Sequence, residues 1–140
     1  MPQMTDAQRD AFLAERRYAI LTTLRPDGTP VSVPVWYEWD GQVLRMFAYE
    51  TSGKLKRLQN NPRATVLVAN HPDEIEKWVS FDGRITIREE GGIEMAERVF
   101  DHYYPIGDER RSALESWRDL ADKWRLLELR PDAIRANVEE

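Results

Sequence analysis

The chain has 140 residues, 41% hydrophobic and 32% charged: room for one domain over residues 1–140 with a proper core, and too apolar for disorder. Its net charge of −5 disfavours general attraction to nucleic acid or an anionic membrane, and the lack of cysteine excludes disulfides, thiolate metal sites and cysteine nucleophiles. No apolar run approaches the roughly 20 residues of a membrane span, and the amino-terminal stretch MPQMTDAQRD has no signal-peptide core; the expected location is the cytoplasm.

Thr5 and Gln8 have the spacing of a capping box, which predicts a first helix carrying Ala11, Phe12 and Leu13 and ending near Arg16 or Arg17. Tyr18 to Leu24 reads as a strand, closed by the turn Arg25-Pro26-Asp27-Gly28. A second strand, Val31 to Trp39, alternates, with Val31, Val33, Val35, Tyr37 and Trp39 on one face. Pro34 has no N–H to give a ladder, so it places that strand at an edge, a bulge or an opening. Asp40-Gly41 is a hairpin signal leading to a third strand, Gln42 to Tyr49.

Lys54 to Asn60 has the spacing of a short helix, with Ser52 as its cap and Asn61-Pro62 as its stop. Strands follow at Arg63 to Asn70 and Lys77 to Arg88, the second with a break at Asp82-Gly83. Apolar residues from Ile93 to Tyr103 recur at helical spacing; Asp108 to Lys123 reads as another helix with Leu114, Trp117 and Leu120 inward; Trp124 to Leu129 reads as the last strand, before Pro131. Six short strands, mostly sequential and antiparallel, with flanking helices, form a mainly β (α+β) protein and favour a small closed barrel over a parallel sheet.

Thr51-Ser52-Gly53-Lys54-Leu55-Lys56-Arg57 places two hydroxyls, a glycine and three cations at the start of a helix, the composition of a phosphate cradle. The plain alternative is a capped helix with a solvated basic face. Backbone groups around Pro34 that lack a ladder partner suit a flat heterocycle with alternating donors and acceptors; the plain alternative is a bulged edge strand. His71 and His102 have no spaced second ligand, so no metal site is assigned. No nucleophile elbow, P-loop or dinucleotide fingerprint is present.

The segments AILTTLRPDGTPVSVPVWYEWDG, TSGKLKRLQNNPRATVLV, WVSFDGRITI and LLELRPDAI, in that order, resemble the flavin and deazaflavin oxidoreductase split β-barrels, the superfamily of pyridoxamine 5′-phosphate oxidase. The resemblance covers about residues 12–134 and implies a six-stranded antiparallel split barrel, a homodimer, and a cofactor, FMN or coenzyme F420, in a groove at the subunit interface. It makes Lys54 the phosphate-binding lysine with Thr51 and Ser52 adding hydroxyls. Lys56 stands where the family often has Arg, and Arg57 where it usually has Asn. Val33, Pro34, Val35 and Trp36 match the strand whose backbone lines the ring. The longer pyridoxamine phosphate oxidases carry an Arg-rich motif after the last strand that is not found after Ile134, so that activity is not expected here.

The implied function is hydride transfer between a bound flavin or deazaflavin and a conjugated organic small molecule, with the hairpin pattern nearer the F420 branch. Protonation from water then suffices, so no catalytic side chain is named. A non-catalytic carrier of a flavin, F420 or a tetrapyrrole is the alternative; a protein-interaction domain, prompted by the aromatic load, is a third reading.

Overall fold

The computed structural model describes residues 3–139. Helix α1 (Asp6–Ala14) begins as its sequence requires: the Thr5 hydroxyl accepts from the Gln8 N–H at 3.1 Å, and the Gln8 side chain accepts from the Thr5 N–H at 2.8 Å. It is followed by β1 (Ala19–Leu24), β2 (Pro30–Val35), β3 (Glu38–Trp39), β4 (Leu44–Tyr49), α2 (Gly53–Asn60), β5 (Arg63–Ala69), β6 (Lys77–Arg88), α3 (Gly92–Tyr103), α4 (Ala113–Asp119) and β7 (Trp124–Val138). No described helix is long and apolar enough to cross a membrane.

All strand pairs are antiparallel, in the order β2-β1-β5-β6-β7-β4-β3. The strands at the two ends of this sheet, β2 and β3, are consecutive in the chain and separated only by Trp36 and Tyr37. Since an extended residue spans at most about 3.6 Å, so short a link forces the seven-stranded sheet to curl until its ends nearly meet. The inward faces of the strands bury Leu21, Leu44, Met46, Val66, Phe81, Leu127 and Leu129, and α1 and α2 close the barrel with Phe12, Leu13, Leu55 and Leu58. Burying one such side chain stabilises the fold by roughly 1.5–3 kcal/mol.

The expected six strands become seven because Val31 to Trp39 is not continuous: β2 ends at Val35, the chain crosses the mouth of the barrel, and β3 resumes at Glu38. The alternation gave no sign of this, since Val35 and Tyr37 are both buried across the break and Trp39 packs against the same core. β7 is longer than the sequence suggested and runs through Pro131. Gly83 pairs with Pro131 and Asp82 with Ala133, leaving Asp132 as an extra residue, so the proline sits in a bulge where its missing N–H costs little. Gly83 permits this approach: a Cβ there would lie 2.9 Å from the Arg130 carbonyl oxygen. The region Asp108 to Lys123 is not one helix but a 3₁₀ turn (Glu109–Ser112), α4 and a second 3₁₀ turn (Ala121–Lys123). Leu114 is buried as expected; Leu120, expected inward, is 43% exposed because the helix has already ended at Asp119.

Outside the barrel, α3 packs on β4 and β7 over a second cluster. Trp36 stacks on Tyr103 at 5.1 Å and meets Phe100 and Tyr104 edge-on, while Trp117 and Trp124 lie 4.4 Å apart. The close approach depends on Gly92, whose added Cβ would lie 2.7 Å from the Trp124 carbonyl carbon and 2.9 Å from that of Arg125. Both obstacles are backbone, which cannot rotate away. Gly92→Ala is therefore expected to lift the first turn of α3 and destabilise the protein by about 2–3 kcal/mol. Thermal unfolding checks this: a fall in Tm of about 8 °C is expected, and an unchanged Tm would show that the helix start yields without cost.

Candidate functional site

The turn into α2 is built by Ser52, whose extended backbone starts the helix and whose hydroxyl accepts a long bond of 3.4 Å from the Leu55 N–H. Leu55 and Leu58 anchor the helix in the barrel, so positions 54 and 57, three apart, share one face at the barrel wall. Lys54 is half-buried there. Burial and then the neighbouring Arg57 charge hold its ammonium below the ordinary lysine range. Among the described residues, neither Lys54, Lys56 nor Arg57 takes part in an ion pair. Two adjacent cations, one of them desolvated and both without a carboxylate, are an unfavourable arrangement that a bound anion would relieve.

Arg57 is oriented by a residue the sequence did not single out. Its Nε donates to the hydroxyl of Thr23 at 2.6 Å, and Thr23 is 1% exposed. Thr23 follows Ala19 and Leu21 on the inward face of β1, so the alternation of that strand was the signal that could have found it. Thr23 pairs with Val31 of β2. The cationic face of α2 is thus tied to the beginning of β2, the strand that carries the proline.

β2 is an edge of the sheet, with β1 on one side and, among the described residues, no strand on the other, one of the three placements that Pro34 allowed. Pro34 pairs with Ile20 and its ring is exposed on the outer face beside Ser32, whose hydroxyl bonds that of Thr22 at 2.8 Å. Val33 and Val35 turn their side chains to the barrel core, and Trp36 is enclosed by the aromatic cluster under α3. What these four residues can offer a ligand is their backbone along the free edge. Of the predicted cradle residues, Thr51, Ser52, Lys54 and Arg57 come together at the start of α2. Lys56 is exposed, and two helical steps of about 100° carry it to the far side from Lys54.

The outer faces of β1, β2, β5, β6 and β7 form a groove of about 620 Å³ lined by Ile20, Thr22, Ser32, Leu67, Trp78 and Arg135, among others. Ile20 and Leu67 are 38% and 37% exposed on it, large apolar side chains in the middle of a sheet face.

The profile of pyridoxamine 5′-phosphate oxidase matches residues 5–136. The chain belongs to this family. The F420H(2)-dependent biliverdin reductase of Mycobacterium tuberculosis (strain CDC 1551 / Oshkosh) is 32% identical over 108 residues, which cover 75% of this chain and 77% of that relative. Among solved structures, an F420 reductase superposes with a TM-score of 0.71 at 24% identity, covering 89% of this chain and 94% of its own. A conserved hypothetical protein from Mycobacterium tuberculosis superposes with a TM-score of 0.75 at 26% identity, covering 95% and 84%. The curled antiparallel sheet with flanking helices is the split barrel of the pyridoxamine 5′-phosphate oxidase family, and a flavin or deazaflavin oxidoreductase role holds at the level of that family.

Proposed function

We propose that this member of the family binds coenzyme F420, or FMN, along the free edge of β2 and serves hydride transfer to a conjugated organic small molecule. The observation that carries the reading is Lys54: a half-buried cation with no carboxylate partner among the described residues, beside Arg57, whose Nε is held by Thr23, the β1 residue paired with Val31 of the edge strand. In that role Lys54 and Arg57 hold the cofactor phosphate, Thr51 and Ser52 contribute hydroxyls, and the backbone of Val33 to Trp36 meets the ring. Lys56, on the far side of the helix, steers anions to the site rather than gripping one. From Val31, paired with the Thr23 that holds Arg57, to Pro34 the strand rises about 10 Å, which separates a phosphate-holding end from a ring-holding end.

The cofactor supplies the hydride chemistry when bound. The chain's own contribution is position and exclusion of water: the buried Val35 and Tyr37 make the wall behind the edge strand dry, and Trp36 is locked by the rings around it. No side-chain acid or base is assigned, since water can deliver the proton. The F420 named for the 32% identical relative favours that cofactor, and the biliverdin named with it favours an extended conjugated acceptor. We place a second copy of the chain on the outer groove, where Ile20, Leu67 and Trp78 offer the apolar ground that an interface needs.

Titration of the purified protein with F420 and with FMN, followed by absorbance and fluorescence, tests the reading. Micromolar or tighter binding of one of them is expected, with F420 the tighter. Failure of both to bind at about 100 μM would overturn it. Binding without oxidation of the reduced cofactor across a panel of conjugated acceptors would favour the carrier role instead.

A further inference from the structure

A second concavity lies at the opposite end of β1 from Arg57. It encloses about 240 Å³ and is lined by Arg16, Arg17, Tyr18, His71, Tyr103, Tyr104 and Arg110. These residues come from the end of α1, the start of β1, the loop after β5, the end of α3 and the 3₁₀ turn beyond it, so no sequence spacing announces them.

The charges of the pocket are not equally committed. The Arg17 guanidinium is 1% exposed and taken up by Glu74 and Glu15; Arg110 is bidentate to Asp108 at 2.6 and 3.0 Å and lies over the Tyr104 ring at 4.2 Å. Arg16 is different. One of its terminal nitrogens donates to the Tyr103 carbonyl oxygen at 2.9 Å, and among the described residues it forms no ion pair. That bond fixes the head group without neutralising it. The acidic side chains nearby, Glu15, Glu74 and Asp108, are each already paired with Arg17 or Arg110.

Beside this cation the pocket wall carries three tyrosines together with Arg17, Arg110 and His71. Tyr18, 57% exposed, lies 6.0 Å from Tyr103, and the adjoining loops carry Ile75 and Ile106 at 63% and 94% exposure. The pocket also abuts the ring-holding end of β2: Tyr18 precedes Ala19, which pairs with Val35, and Tyr103 stacks on Trp36. A volume of about 240 Å³ is below the 300–1,000 Å³ of a site that takes a whole drug-sized ligand, so it receives one end of a longer molecule.

We infer that this pocket is the anchoring subsite for the substrate, and that the substrate is a planar conjugated molecule bearing a carboxylate, held by Arg16 with Arg110 and Tyr18 at the rim. The assignment of the occupant as substrate rests on the cofactor reading above; the anion site itself does not.

The test uses 1-pyrenebutyrate and its methyl ester, titrated into the purified protein with and without F420 and followed by pyrene fluorescence. The acid is expected to bind at least about tenfold more tightly than the ester, as one charge-assisted contact requires. Arg16→Ala is expected to weaken the acid by about tenfold or more, leave the ester unchanged and leave F420 affinity unchanged, and Arg16→Lys to restore part of the loss. Arg16 is exposed, so the variant is expected to fold, and an unchanged affinity for the ester checks this; Arg110→Ala is expected to give a second, smaller loss. Equal binding of acid and ester, or an acid affinity that Arg16→Ala does not change, would overturn the subsite. So would an equal loss of F420 affinity, because the pocket would then serve the cofactor. If the protein binds neither F420 nor FMN yet keeps Arg16-dependent binding of the acid, the cofactor reading fails and the anion site stands.

Discussion

Lys54→Ala is expected to weaken cofactor binding by roughly ten- to a hundredfold, the equivalent of about 1.5–3 kcal/mol for a charge-assisted contact. The variant should lose little stability, because it removes a cation held against another cation. Its ammonium sits half-buried beside Arg57, and burial is the first cause of its lowered proton affinity. The same cause gives the pH dependence a sign. A phosphate at this position stabilises the charged amine and raises its pKa, so affinity is full while the free protein's Lys54 is protonated and declines as pH rises through that lowered value. The Arg57 guanidinium, held by Thr23, continues to bind weakly above that range. Parallel fluorescence titrations of wild type and variant at neutral and alkaline pH measure both effects. An affinity for F420 and FMN that is indifferent to Lys54→Ala would remove the lysine from the site.

The second large effect concerns stability. Arg17→Ala is expected to cost about 3 kcal/mol, seen as a fall in Tm of roughly 10 °C. Its guanidinium, 1% exposed, makes two bonds to Glu74 at 2.7 and 2.8 Å and one to Glu15 at 2.8 Å, and its Nε donates to the Phe12 carbonyl at 3.2 Å. It also lies 4.0 Å above the Phe12 ring. One side chain thereby joins the end of α1 to the loop between β5 and β6. The Arg17 guanidinium, followed by the His71 N–H, holds the Glu74 carboxyl well below its ordinary value of 4.5. Because the folded value is the lower one, this contribution is fully present above pH 4.5 and fades as pH falls toward the folded value. Urea unfolding of wild type and Arg17→Ala at neutral and acidic pH should therefore show curves that converge on acidification. A constant separation would assign the loss to packing on Phe12 alone.

Local chemistry made much of the fold legible. The capping box, the Pro-Asp-Gly and Asp-Gly turns and the placement of Pro34 at an edge all act within a few residues, where sequence and geometry correspond directly. The errors arose where distant strands decide. Alternation through Val35, Tyr37 and Trp39 continues across the gap between β2 and β3 because all three face the same core, although the ladder stops. A proline ordinarily ends a strand, yet Pro131 does not, because β7 bulges at Asp132 and Gly83, on a strand far away in sequence, leaves room for the approach.

The candidate site divides along the same line. Lys54 and Arg57 share a face by helical spacing alone, whereas composition counted Lys56 with them although it points away. The alternation of β1 marks Thr23 as inward, but that it aims Arg57 follows only from the packing of β1 against α2. The pocket around Arg16 draws on residues from 16 to 110 and has no signature shorter than the whole fold.

The position of β7 between β6 and β4 has a consequence for synthesis on the ribosome. Until residues 124–138 emerge, β4 and β6 each present an open edge, and the ring of strands cannot close. Nascent chains carry two sticky margins during that interval. Their exposure ends only when β7 slides between them, so closure of the barrel waits on that one strand.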